Sequence, residues 1–210
     1  MKSELKKRFK VHDLGPTSWL LGVEIQRDRS KRTLTLSQRQ YILDMLKHYN
    51  MSDATPVHTP MNPGVKLSTA MCPTTQEEKD DMARVPYANA VGALMWLAVA
   101  TRPDIAYAVG VLARFNSNPG RQHWTAVKHV FRYLRGTVDL VPTFGPDPSS
   151  TELFTTYSDA DHGGNPDNGK STTGWVVKVG TGPIAWSSKL QGLVTLSTTE
   201  AEFVAAVTAG

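Results

Sequence analysis

Apolar and polar positions follow two rhythms along this chain. Near the start, Trp19 to Gln26 and Thr33 to Leu36 read as strands joined by a charged turn, Asp28 to Arg32. Ser3 to Lys10 reads as the end of a helix, stopped by Asp13-Leu14-Gly15-Pro16. Ser37-Gln-Arg-Gln40 fits a capping box and opens a helix through Tyr49 with Tyr41, Leu43, Met45, Leu46 and Tyr49 as its apolar surface. Helical spacing dominates the centre. Tyr87 to Thr101 is apolar with small residues at Ala88, Ala90, Gly92 and Ala93, as in a closely packed core helix, and Arg102-Pro103-Asp104 ends it. Ile105 to Phe115 is the next helix. His123 to Arg135 is the third, with Trp124, Val127, Phe131 and Leu134 as its buried stripe. A period of two returns at the C-terminal end. Leu153, Thr155, Tyr157 and Asp159 share one parity and Phe154, Thr156 and Ser158 the other, both partly apolar, as in a central strand covered on two sides. Ser171 to Val179 and Pro183 to Ser188 form a hairpin around Gly180-Thr-Gly182. Ser197-Thr-Thr-Glu200 is a second capping box, with Ser197 as N-cap, and starts a last helix.

Between these elements lie three irregular stretches. Thr55 to Pro63 carries Pro56, Pro60 and Pro63 and reads as an extended connector. Leu67 to Ala83 is polar, and its charge run Gln76 to Asp81 reads as a solvated loop or short exposed helix. Val138 to Ser150, with Pro142, Gly145, Pro146 and Pro148, reads as a linker to the C-terminal block. Composition adds little: 210 residues, 40% hydrophobic and 20% charged, describe a globular chain of one or two domains. The net charge of +4 permits a polyanionic partner without requiring one. The single cysteine, Cys72, excludes an intrachain disulfide framework and suits a reducing compartment. The longest apolar run, Ala88 to Ala100, is shorter than the ~20 residues that span a bilayer. The charged start, Met1 to Phe9, has no secretory pattern.

Candidate chemistry centres on carboxylates. Asp159 falls at the exit of its strand, before the Gly163-Gly164-Asn165-Pro166 break, where backbone pairing ends and ligands can approach. Glu200 has a capping role. Glu202 lies about 200° further round the helix, beside Ala205 and Ala206. A strand-end carboxylate and one on a nearby helix can share a hard divalent cation, which needs only one or two protein carboxylates when substrate phosphates complete its shell. On spacing alone, both glutamates read equally well as first-turn acids favoured by the helix dipole. Lys128, Arg132 and Arg135 recur at i, i+4 and i+7 and form a basic stripe, which by itself reads as a solvated face. His123 and His129, six apart, do not share a helix face at metal-ligand spacing. They read as a surface histidine and an interhelix hydrogen-bonding one.

Three sets of residues carry a resemblance. Tyr157-Ser-Asp-Ala-Asp161, Lys170-Ser-Thr-Thr-Gly-Trp175, Ala185-Trp-Ser-Ser-Lys189 and Leu196-Ser-Thr-Thr-Glu-Ala-Glu-Phe203 resemble the ribonuclease H domain of copia-type retrotransposon polyproteins. Tyr87-Ala-Asn-Ala-Val-Gly-Ala-Leu-Met-Trp96, Thr101-Arg-Pro-Asp-Ile-Ala106 and His123-Trp…Tyr133-Leu-Arg-Gly-Thr137 resemble the region joining polymerase to ribonuclease H in the same elements. Phe9-Lys-Val-His-Asp-Leu-Gly15 with Leu20-Leu-Gly-Val-Glu-Ile25 resembles the end of the reverse transcriptase palm, where such a hairpin supports the primer strand. The resemblance implies Asp159 and Glu202 as catalytic residues and ligands of Mg²⁺ (or Mn²⁺), and turns the stripe Lys128, Arg132 and Arg135 into nucleic-acid-binding residues on an RNA–DNA hybrid. It also implies a polymerase Tyr-x-Asp-Asp element upstream of Met1 and a further nuclease aspartate downstream of Gly210.

The expected fold is thus mixed, α+β or α/β: a β-hairpin and a helical thumb and connection region, then a truncated ribonuclease H-like three-stranded sheet with a helix. The implied division is 1–60, the end of the palm and start of the thumb; 61–142, the helical thumb and connection; and 151–210, the N-terminal half of ribonuclease H. The implied function is that of a fragment of an enzyme that copies RNA into DNA and cuts the RNA of the hybrid by two-metal hydrolysis, the fragment itself being inactive. A non-catalytic hybrid-binding or structural remnant of a transposable element is the alternative. Implied partners are RNA–DNA hybrid and the rest of the Pol polyprotein, with no membrane, in a cytoplasmic virus-like particle or the nucleus.

Overall fold

A computed structural model describes residues 2–12, 15–149 and 151–210. The expected stop at Asp13-Leu14 lies partly outside the described residues. Helix α1 (Lys2–Arg8) buries none of its residues. The first expected strand is in fact two, β1 (Trp19–Leu20) and β2 (Val23–Asp28). Leu21 and Gly22 both take positive φ, 51° and 79°, and fold the chain into a two-residue turn that pairs Leu20 with Val23. Such a turn normally carries Asn or Gly, so the apolar Leu20-Leu21 run hides it. Strand β3 (Thr33–Ser37) pairs with β2, and α2 (Arg39–His48) follows. The expected capping box at its start does not form. Ser37 closes β3, and its hydroxyl accepts only the Arg39 N–H, at 3.2 Å.

The stretch Leu67 to Ala83 holds a 3₁₀ turn (Thr69–Met71) and helix α3 (Gln76–Ala83), which is the short, mostly exposed helix expected as one of its two forms. Here the reading of the sequence missed a complete capping box: Thr75 accepts the Glu78 N–H, and the Glu78 carboxylate accepts the Thr75 N–H at 3.1 Å. These N–H bonds hold the Glu78 carboxyl below its usual range. Helices α4 (Tyr87–Ala100), α5 (Ala106–Ala113) and α6 (Arg121–Gly136) build the core with α2. Leu94, Leu97, Val109, Leu112, Val127 and Leu134 are completely buried there. This agrees with the apolar spacing of α4 and α6.

Two antiparallel sheets flank the helices. The first has the order β1-β2-β3-β4, where β4 (Thr143–Phe144) comes from the stretch expected to be a linker. The second has the order β5-β6-β7, with β5 (Phe154–Ala160), β6 (Thr172–Val179) and β7 (Gly182–Leu190). Strand β5 is therefore an edge of this sheet, not a central strand, and most of it is exposed. The last helix, α7 (Thr198–Ala209), packs on β5 and β6 through Ala201 and Ala205. Small side chains at these positions let the helix lie close to the sheet. No described helix is long and apolar enough to cross a membrane.

Candidate functional site

The faces of the second sheet follow from its register. Tyr157, Val176 and Trp186 lie opposite one another across the three strands, as do Asp159, Gly174 and Ser188. Trp186 donates its indole N–H to the Ala98 carbonyl of α4 at 2.7 Å, so this face looks toward the helical core. On the other face, Gln191 donates to Thr173 Oγ1 and to the Ala201 carbonyl of α7, each at 3.0 Å. Helix α7 and Asp159 therefore lie on opposite sides of β5, because side chains alternate along a strand.

Asp159 opens into a cleft of about 590 Å³ between the sheet and the start of α5. Pro103, Asp104 and Tyr107 line its helical side, and Tyr157, Asp161 and Trp186 line its sheet side with Asp159. Asp159 is exposed, and the only hydrogen bond its carboxylate makes to a described residue is the local one from the Ala160 N–H, at 2.9 Å. Asp161 is committed, accepting the Thr172 N–H. Burial and the charge of Asp161 raise the Tyr107 hydroxyl pKa. Glu202 is exposed on α7, bonds to no described group and does not line the cleft. Asp159 and Glu202 are thus both uncommitted oxygen donors, but they lie on opposite sides of β5, so the structure does not bring together the pair expected to share a cation. No group of three or more His, Cys, Asp and Glu gathers among the described residues. Glu200 has the capping role expected of it in part. Ser197 accepts the Glu200 N–H at 3.1 Å, while the Glu200 carboxylate takes the N–H of Leu196 at 2.7 Å.

The basic stripe is partly occupied. Arg132 Nε donates to the Thr55 carbonyl at 2.7 Å, Arg135 Nε to Ser52 at 2.8 Å, and a ring nitrogen of His129 lies 3.0 Å from the Thr59 carbonyl. Together they fasten the proline-rich connector along α6. Lys128 makes no bond to a described residue. His129 thus bonds to the connector rather than to a helix. His123 is not a surface residue: it is fully buried, stacked on Phe115 at 3.9 Å, and its Nδ1 accepts the Gly120 N–H at 2.9 Å. Its Nε2 lies 3.2 Å from the Ser68 carbonyl, an acceptor, which fixes the neutral Nε2–H tautomer. Burial pushes its pKa down.

The family-like words Thr101-Arg-Pro-Asp and Tyr133-Leu-Arg-Gly-Thr meet each other. Arg102, 1% exposed, forks onto Asp104 with bonds of 2.9 and 2.7 Å and onto the Thr137 carbonyl and hydroxyl at 3.0 and 2.6 Å. The Tyr133 hydroxyl donates to Asp104 at 2.9 Å, and Thr101 donates to Gln38 at 2.7 Å. The sequence marked these words, but not that they fasten α4, α5 and α6 to one another. An Arg and an Asp two apart across a proline was the available signal.

Residues 1–63 match the family model described as reverse transcriptase (RNA-dependent DNA polymerase). The chain is 51% identical over its whole length to the retrovirus-related Pol polyprotein from transposon TNT 1-94 of Nicotiana tabacum. It is 42% identical over 201 residues, 95% of the chain, to that from transposon RE1 of Arabidopsis thaliana. The chain spans 16% and 13% of those two polyproteins. An uncharacterized mitochondrial protein of Arabidopsis thaliana is 32% identical over 200 residues, 95% of the chain and 78% of that protein. No solved structure matches the chain. The matched lengths span both sheets and the helical core, and by them the chain belongs to the copia-type retrotransposon Pol polyproteins.

Proposed function

We propose that this chain is the part of a retrotransposon Pol protein where the reverse transcriptase palm ends and a ribonuclease H-like nuclease begins. Residues 1–60 are its primer-supporting end, 61–142 its thumb and connection, and 151–210 the first half of the nuclease. The observation that carries this reading is Asp159: an exposed, uncommitted carboxylate at the exit of β5, opening into a cleft of about 590 Å³ between sheet and helices. Three antiparallel strands followed by a helix support the ribonuclease H-like layout. The complete protein copies RNA into DNA and cuts the RNA of the hybrid.

Mg²⁺ suits Asp159, a hard oxygen donor facing the cleft; Glu202, on the helix across β5, would not share that ion within residues 1–210. When bound, such ions supply a hydroxide nucleophile and stabilise charge on the phosphate. The chain's own part is to hold the strand and present the carboxylates. Two carboxylates are too few to hold two ions about 3.5–4 Å apart, so residues 1–210 alone cut no hybrid. Lys128 and the outer nitrogens of Arg132 and Arg135 contact phosphates, which position a duplex without reading its sequence.

The occupied guanidiniums favour a second reading, a hybrid-binding or structural remnant. Two measurements on the purified chain separate the readings. Mn²⁺ binding followed by water-proton relaxation should be lost in Asp159→Asn and kept in Glu200→Gln. Hybrid affinity against salt should lose about one unit of slope for each phosphate contact removed. Hybrid binding with no Mn²⁺ binding would select the remnant.

A further inference from the structure

The cleft beneath Asp159 has a glycine in its floor for which the chain provides no reason. Gly174 sits in the middle of β6, opposite Asp159 on one side and Ser188 on the other. Glycine inside a strand weakens it and leaves nothing to pack. A Cβ added at Gly174 would meet no atom nearer than the Asp159 carbonyl oxygen at 4.0 Å, so neither a close neighbour nor a positive φ requires glycine there. Such glycines mark places where a ligand or another backbone approaches closely.

The walls point the same way. Tyr107 on α5 is 44% exposed, Tyr157 on β5 is 56% exposed, and neither hydroxyl bonds to a described residue. Trp186, anchored on Ala98, closes the back of the same cleft. Two free phenol groups and an indole thus surround an open floor beside an uncommitted carboxylate. A volume of about 590 Å³ is that of a small-ligand pocket, enough for one nucleotide unit and too small for a whole duplex. Aromatic side chains that line such a groove hold unpaired nucleotides by stacking, whatever the base.

We propose that one nucleotide of a bound RNA–DNA hybrid, unpaired from its partner, sits in this cleft, over Gly174 and against Tyr107, so that the helical region supplies a substrate-positioning residue to the sheet that carries Asp159. This rests on the reading of the chain as a hybrid-binding part of a nuclease. Tyr107 is a positioning residue here: it holds the strand where the phosphate faces Asp159, and takes no part in bond breaking.

The test measures binding of a fluorescent RNA–DNA hybrid to the purified chain by anisotropy. Gly174→Val should fill the floor and weaken binding about tenfold while leaving thermal stability unchanged or higher, since valine favours strands. Tyr107→Ala should weaken binding about tenfold, and Tyr107→Phe, which keeps the ring, should restore most of it. A hybrid carrying 5-iodouridine should crosslink to Tyr107 on irradiation. If Gly174→Val unfolds the chain, the Tyr107 pair and the crosslink decide. Salt-sensitive hybrid binding by the wild-type chain that neither Gly174→Val nor Tyr107→Ala changes overturns this inference and leaves the hybrid-binding reading standing. No hybrid binding by the wild-type chain overturns both.

Discussion

Replacing Arg102 by Ala removes the residue on which three helices are fastened. Arg102 is the largest fully buried side chain among the described residues, and its guanidinium makes five hydrogen bonds, three to Asp104 and two to Thr137. It also lies 5.7 Å from the centroid of the Tyr133 ring. Removing one partner of a buried pair typically costs about 3–5 kcal/mol, because the other charge is left uncompensated. Here the Asp104 side chain is 26% exposed and keeps the Tyr133 hydroxyl, so the lower end of that range, about 3 kcal/mol, is expected. For a chain of this size, that loss lowers the melting temperature by about 6–12 °C. Arg102→Lys should recover only part of it, since an ammonium cannot fork onto two partners at once. Circular dichroism melts and urea titrations of wild type, Arg102→Ala, Asp104→Ala and the double variant measure the coupling directly. A loss under about 1 kcal/mol in Arg102→Ala, or no coupling to Asp104, would refute the claim that this pair fastens the helices.

Three more outcomes follow from the same structure. His123 is buried as a neutral tautomer with its pKa pushed down, so the unfolded chain takes up the proton first as pH falls. Its stabilisation is complete above the unfolded pKa of about 6.5 and is lost at lower pH, by at most about 1.4 kcal/mol per unit. The difference between wild-type and His123→Gln melts from pH 7.5 to 5 should show this slope, and parallel curves would exclude it. Gly120→Ala drives a Cβ into the Met71 backbone carbonyl and should destabilise the chain by ~2 kcal/mol or more, measured by urea titration. Arg132→Ala with Arg135→Ala frees the connector at Ser52 and Thr55, so limited proteolysis should cut residues 52–60 faster with the melting temperature little changed.

What the sequence revealed depended on whether a residue's partner was near it along the chain. Helices α4 and α6 were legible because their apolar positions recur within each helix. Ser197 was legible as a cap because its partner, Glu200, is three residues away. The two-residue strand β4 was not legible, because its pairing with Leu34 and Thr35 reaches across the whole helical region. The buried place of His123 was hidden for the same reason: its carbonyl partner is at Ser68 and its stacking partner at Phe115. Asp159 could be placed at a strand exit from local pattern alone. That its side chain faces α5 and not α7 depends on Trp186 reaching Ala98, which no local pattern contains.

The basic stripe shows how far a pattern of charge can be taken toward function. Spacing alone gives a cationic helix face and leaves the partner open. The structure assigns the Nε groups of Arg132 and Arg135 to the backbone carbonyls of Thr55, at the start of the connector, and Ser52, just before it, partners with no sequence signature. Yet a guanidinium carries five N–H donors, and one bond through Nε leaves both outer nitrogens available. Fastening the connector and contacting a phosphate are therefore compatible for these two residues. The connector bonds also reduce the freedom that each side chain would lose on binding, since ordering a long side chain costs about 0.5–1.5 kcal/mol. Lys128 has no such partner and loses that freedom in full. If the stripe lies along a hybrid, Arg132 and Arg135 should therefore each contribute more to affinity than Lys128, although all three contribute about equally to the salt slope. That inequality separates a pre-positioned phosphate-binding face from a merely solvated one, where all three residues would contribute nothing.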